Sequence, residues 1–259
     1  MCCSCRSYDS SGLRWARDPW AGIVCRDMDD PTRIDPTLES LRRAWEGQPD
    51  LSLPTFFAML ANRGIGWGAS DAELVAELER QAGVHPPLLP LEGGRVAAGE
   101  WLVLADAPAY RITATSTHII VRRPDTQPVV WAYDSIRPTG PGRPFTIRDT
   151  EGFEHRFGVV SSLMRLNTER PALEGLKRQE LGDYVFVLRF SEAIGVLDHG
   201  LHLFAKERRH VSRQEYPWQC IEQCRPGEEL EIILGGGKSA RLGAVKDVLV
   251  AETPNPLFG

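Results

Sequence analysis

Long apolar runs are missing from this chain of 259 residues. No segment approaches the roughly 20 consecutive apolar residues of a membrane-spanning helix. The opening MCCSCRSYDSSGLRWARDPWAG also lacks the apolar stretch of about 7 to 15 residues that a secretion signal requires, so the expected location is the cytoplasm. Positive charge is not in excess: 30 Lys and Arg stand against 35 Asp and Glu, for a formal net charge of -5. Nucleic acid or anionic lipid would therefore have to meet a local basic patch, and no nucleic-acid partner is expected. Cysteine is scarce, at six residues in two groups: Cys2, Cys3, Cys5 and Cys25 near the start, and Cys220 with Cys224 in WQCIEQC. Neither group has the paired spacing of a structural zinc site, and the second reads as buried, reduced thiols. No serine sits in a nucleophile elbow and no cysteine carries a local catalytic signature. Neither a metal nor an organic cofactor is implied.

The length suggests roughly two domains, and the chain divides further by pattern. Residues 1–30 show no helical or strand period, which predicts a disordered tail, with native translation starting at Met28. Residues 31–84 read as three helices. In DPTLESLRRAWEG, Leu38, Leu41 and Trp45 share one helical face, with Asp35 as the expected N-cap and Pro36 in the first turn. A second helix opens at Pro54 after Ser52 and Leu53 and stops at Gly64. The third carries a capping box, Ser70 with Glu73, and is expected to bury Leu74, Val75 and Leu78. Trp45, the Pro49-Asp50-Leu51 step and the acidic stretch 71–78 resemble a small helical domain of uncharacterised bacterial proteins, and that resemblance implies no chemistry. A DNA-reading helix-turn-helix is disfavoured, because acidic residues outnumber the five arginines between Arg33 and Arg80 and phosphate contacts supply most of such affinity.

After a linker, HPPLLPLEGG (residues 85–94), the period changes to two and the text repeats itself. GEWLVL answers to GDYVFVL, THIIVR to LHLFAK, and WAYDSI to YPWQCI. From residue 131 to 160 the second copy follows at a constant shift of 85, with eight of 30 positions identical: Ile136, Pro141, Gly142, Ile147, Gly152, Arg156, Gly158 and Val160. The paired isoleucines, Ile136 with Ile221 and Ile147 with Ile232, are expected to point inward. Gly152 and Gly237 are expected where a hairpin needs positive φ.

This alignment also disposes of GGGKS (residues 235–239), which at first suggests a phosphate loop. The G-x-x-x-x-G-K-[ST] spacing would put the first glycine at Ile232, an inward strand position. The alignment instead sets GGGKS against TEGFE, a hairpin tip.

Two segments delimit the copies, residues 95–180 and 181–259, and each is predicted to hold a curled antiparallel sheet closed by a C-terminal helix. Residues 160–177 supply the first helix, and a shorter second one starts near Val245. The fold class is then α+β, a three-helix module followed by two duplicated sheet or barrel domains. GEWLVLADAPAYRITATSTHIIVRR, WAYDSIRP and FTIRDTEGFEHRF resemble the bacterial pleckstrin-homology-like fold, which is shared with lipid-binding GRAM domains. The resemblance implies a binding or assembly module and brings no catalytic residues.

One feature recurs without being needed for folding. The turn after the second strand of each copy is basic, with Arg122 and Arg123 in the first and Lys206, Arg208 and Arg209 in the second. Arginine forks match phosphate and carboxylate geometry, so these five are the candidate binding residues. The leading expectation is a non-enzymatic protein that binds a protein partner or itself, with exposed strand edges suited to pairing. One alternative is a membrane-surface module that takes anionic headgroups on the basic loops. Another is a metal-dependent hydrolase using His199 and His202 of DHGLH, although strand geometry sends residues three apart to opposite faces.

Overall fold

The computed structural model describes residues 31–206 and 211–257. The expected tail, the start at Met28, and Arg208 and Arg209 lie outside the described residues. A 3-10 turn, Pro31–Arg33, leads into α1 (Ile34–Glu46), which is followed by α2 (Leu53–Asn62) and α3 (Asp71–Val84). Serines cap the second and third helices, the Ser70–Glu73 box as expected and Ser52 in addition. Ser52 Oγ accepts from Thr55 N, and Ser70 and Glu73 complete a reciprocal box, each side chain accepting from the other's backbone N–H. Asp35 does not cap α1. The helix has already begun at Ile34, with Arg33 at the cap position, which leaves Asp35 in the first turn facing the positive end of the helix dipole. Leu38 also departs from expectation, at 54% exposed. The small residues Ser40 and Ala44 are the ones α1 buries, and the core of the module is Ala44, Phe56, Leu60 and Leu78. This rotation turns Leu38, Leu41 and Trp45 onto a groove shared with Pro49 and Leu53.

A two-residue hairpin follows, β1 (Leu91–Glu92) against β2 (Arg95–Val96), turning through Gly93 and Gly94. Both glycines have positive φ, as a tight primed turn demands. Six strands then form a closed antiparallel barrel: β3 (Trp101–Asp106), β4 (Tyr110–Ala114), β5 (His118–Arg122), β6 (Val129–Ile136), β7 (Pro144–Asp149) and β8 (Glu154–Arg165), with β8 pairing back onto β3.

The second sheet contains β9 (Val185–Phe190), β10 (Ala193–Leu197), β11 (Leu201–Lys206), β12 (Val211–Tyr216), β13 (Trp218–Gln223), β14 (Glu229–Leu234) and β15 (Ser239–Glu252). Its order is β12-β11-β10-β9-β15-β14-β13. The two end strands are consecutive in the chain and meet at Pro217, so the sheet curls in the sense of the first barrel. Proline has no N–H to give the ladder, and here it divides what runs unbroken in β6.

The registers of the two sheets agree in detail. Ala105 faces Val160 and Leu104 faces Ser162, which leaves Ser161 as a bulge. In the second sheet Phe190 faces Val245 and Arg189 faces Asp247, which leaves Lys246. Asp134 and Gln219 are extra in the same way between Tyr133/Ser135 and Trp218/Cys220. Gly142 N donates to Val160 O at 2.8 Å, and Gly227 N to Val245 O at 2.7 Å. Ile136, Ile147, Ile221 and Ile232 are all buried inward. The tip of GGGKS joins β14 to β15, with Gly236 and Gly237 at positive φ like Gly152 in the first sheet.

Neither closing helix forms among the described residues. Residues 160–165 continue β8, and β15 runs straight through the position expected for the second helix. Each sheet is plugged instead by the segment that precedes it. Leu89 and Val96 fill one end of the first barrel, where Ile136 N donates to Gly94 O and the Tyr133 hydroxyl donates to Thr115 O while accepting from Val96 N. Leu173, Leu176 and Leu181 fill the second, where Ile221, the counterpart of Ile136, donates to Leu176 O.

Candidate functional site

The second sheet packs on the outside of the first barrel. In β5, Ile119 and Val121 point into the first core, while Ile120 joins Val187, Ile194, Phe204 and Ala251 in a separate apolar layer between the sheets. The outward row that carries Ile120 also carries His118 and Arg122, because strand side chains alternate. Thr113 on β4 donates to Ala251 O at 2.6 Å, which ties the layer to the end of β15.

At one rim of this layer, Glu252 accepts from both Arg111 and Arg122. The Arg122 side chain is only 11% exposed and that of Glu252 12%, against 48% for Arg111. Burial alone would raise the Glu252 carboxyl. The Arg111 hydrogen bond and the charges of the two guanidiniums outweigh it and hold the group below its ordinary value. The two arginines respond in opposite directions, since burial lowers Arg122 while the hydrogen bond to Glu252 raises Arg111.

Above this trio lies a pocket of about 240 Å³. Arg111, Arg122 and Arg123 enter it from the first barrel, and His202, Phe204 and Arg213 from the second sheet. Arg123 lies over the Tyr110 ring at 5.3 Å from its centroid, and Arg213 donates to Asp125 at 2.5 Å and to His202 Nδ1 at 3.3 Å. With Glu252 included, four guanidiniums face the carboxylates of Asp125, Asp198 and Glu252, a surplus of one positive charge before His202 is counted. Arg122 is incompletely satisfied: its buried Nε–H has no hydrogen-bond partner among the described residues. Such a group favours an acceptor, because an unpaired buried donor costs about 1–3 kcal/mol.

The five residues expected to bind are thus distributed unevenly. Arg122 and Arg123 line the pocket, but Arg122 lies on a buried strand face and not on a solvated turn. Lys206 ends β11 in an exposed position and does not line it. His199 and His202 line separate pockets, His199 facing one with Lys177, Arg178 and Cys220. Among the described residues no group of three or more His, Cys, Asp and Glu side chains could hold a metal ion. Sequence reading missed Arg111, Arg213 and Glu252. The usable signal was the run HIIVR, since a strand apolar on both faces must be covered twice, and a charge on its outer row then needs a partner.

No family model matches the chain, and neither a curated protein nor a solved structure matches it. No helix among the described residues is long and apolar enough to cross a membrane.

Proposed function

We propose that this is a non-enzymatic binding protein of the cytoplasm, in which a barrel and a curled sheet descended from an internal duplication hold the phosphate or carboxylate of a small ligand between them. The duplication is supported by bulges that recur at the shift of 85, Ser161 with Lys246 and Asp134 with Gln219, since such irregularities follow a specific sequence. The binding reading rests on one observation: Arg122 is buried in a wall of the pocket between barrel and sheet, its Nε–H without a partner among the described residues, beside three further guanidiniums. Guanidinium forks suit planar or tetrahedral oxyanions, and a partly desolvated site strengthens the attraction.

The headgroup alternative loses support because Arg122 is committed to an interface and does not sit at an exposed tip. The hydrolase alternative loses support because its two histidines face different pockets.

Titration of the full chain with inorganic phosphate at constant ionic strength, followed by thermal unfolding, tests the proposal. Stabilisation should grow with phosphate as expected for a ligand that binds only the folded state, and should vanish in Arg123→Gln, whose side chain is not needed for the core. Equal shifts in both proteins, or none in the wild type with phosphate or with a series of small carboxylates, would overturn it.

A further inference from the structure

We infer that the outer edge of β12 is a self-association surface, on which a second copy of this chain adds its own β12, antiparallel, about a twofold axis through Gln214. This goes beyond the pocket, with which it shares the Arg213 side chain. β12 pairs with β11 over six residues, from Val211 opposite Lys206 to Tyr216 opposite Leu201, and it ends the sheet. No described residue makes a backbone hydrogen bond to its other side. The opposite end of the sheet is covered, since Gly175 N donates to Ile221 O and Ile221 N donates to Leu176 O along β13.

The sequence of the edge, VSRQEY, is complementary to itself in one register. With Gln214 opposite its own copy, Arg213 lies opposite Glu215 of the second chain and Ser212 opposite Tyr216, and each pair occurs twice. Opposite charges directly across an antiparallel pair are favourable, and like charges there are unfavourable. Centring the axis one residue earlier would set Arg213 against Arg213, and one residue later Glu215 against Glu215. Charges on a free edge usually deter pairing. Here they alternate in sign about a centre, so they reject these two slips and favour one isologous contact. The side chains are available for it. That of Glu215 is 64% exposed and that of Arg213 37%, with the Arg213 guanidinium meeting Asp125, His202 and the Phe204 ring at the rim of the pocket.

Sedimentation velocity of the full chain over a range of concentrations reads the association directly. The wild type should form a dimer. Glu215→Arg and Arg213→Glu should each weaken it by on the order of tenfold, as two attractive pairs become two repulsive ones. The double variant Arg213→Glu/Glu215→Arg should recover the wild-type constant, and an equimolar mixture of the two single variants should form a heterodimer. Thermal unfolding of each variant verifies that it is folded, and Glu215→Arg leaves the Arg213 contact with Asp125 in place. A wild type that stays monomeric throughout, single variants that associate like the wild type, or a double variant that does not recover, would each overturn the inference.

Discussion

Replacing Glu252 with glutamine removes one charge from the seam between the barrel and the second sheet and changes almost nothing in shape. Glu252 accepts from two guanidiniums, but they do not matter equally. Arg111 is half exposed, so water screens its share, and pairs of that kind are worth between nothing and about 1 kcal/mol. Arg122 meets water only through the pocket it lines, and its side chain is as buried as that of Glu252. Removing one partner from such a pair leaves an uncompensated buried charge, which costs about 3–5 kcal/mol. We take the lower end, about 3 kcal/mol, because Arg111 bridges to solvent and glutamine still offers an oxygen. At about 2–4 °C per kcal/mol for a unit of this size, the expected loss is about 6–12 °C in Tm. Calorimetry, with denaturant unfolding as a second measure, reads it.

The companion variant Glu252→Leu/Arg122→Met replaces the pair with apolar groups of similar length and should recover most of the loss, since a buried ion pair is close to neutral against such a replacement. The carboxyl also marks the acid limb of stability. Its contribution is complete above its unfolded value near 4.5 and is lost as pH falls from there through the lowered folded value, so Glu252→Gln should flatten that limb. A Glu252→Gln protein that loses less than about 1 kcal/mol would refute the reasoning, because it would show that Arg122 is not held charged and dry.

Two further outcomes follow from close contacts and from one buried and one half-buried histidine. A Cβ on Gly158, at φ +80°, would lie 2.2 Å from Asp106 O, whereas at the equivalent Gly243 the nearest atom, on the Phe190 ring, is 4.0 Å away. Gly158→Ala should therefore destabilise by several kcal/mol and Gly243→Ala by about 1 kcal/mol, the strain of positive φ alone, as measured by denaturant midpoints. Burial lowers both His85, whose Nδ1 is 2.7 Å from Leu163 O, and His118. Each takes up its proton at lower pH in the folded chain than in the unfolded chain, so stability should fall as pH drops from about 6.5 through the lowered folded values. His85→Gln should reduce that slope and leave the part due to His118.

Local chemistry was legible in the residues, and the features that bend or cover strands were not. The capping box of α3, the inward isoleucines and the glycine hairpins could all be read directly, because each depends on a few neighbours. The two closing helices were misread for a single physical reason. In β8 the buried residues Val160 and Leu163 are three apart because Ser161 is extruded as a bulge, and Lys246 does the same after Val245. A bulge turns a period of two into a local spacing of three, which imitates a helix face. The pocket stayed hidden because Arg111 and Glu252 are 141 residues apart and meet only when one sheet lies on the other.

The upstream plugs decide where this protein can be cut. Leu173, Leu176 and Leu181 come before the first strand of the second sheet but belong to its interior, so a fragment begun at the repeat boundary near residue 181 would leave Trp218, Ile221 and Leu230 facing water. The same cut would leave residues 173–180 hanging from the first barrel as a greasy flap with nothing to cover. A fragment intended to fold must begin before Leu173, and the first barrel must keep Leu89, so each sheet with its plug is offset from its sequence repeat by roughly one strand and its turn.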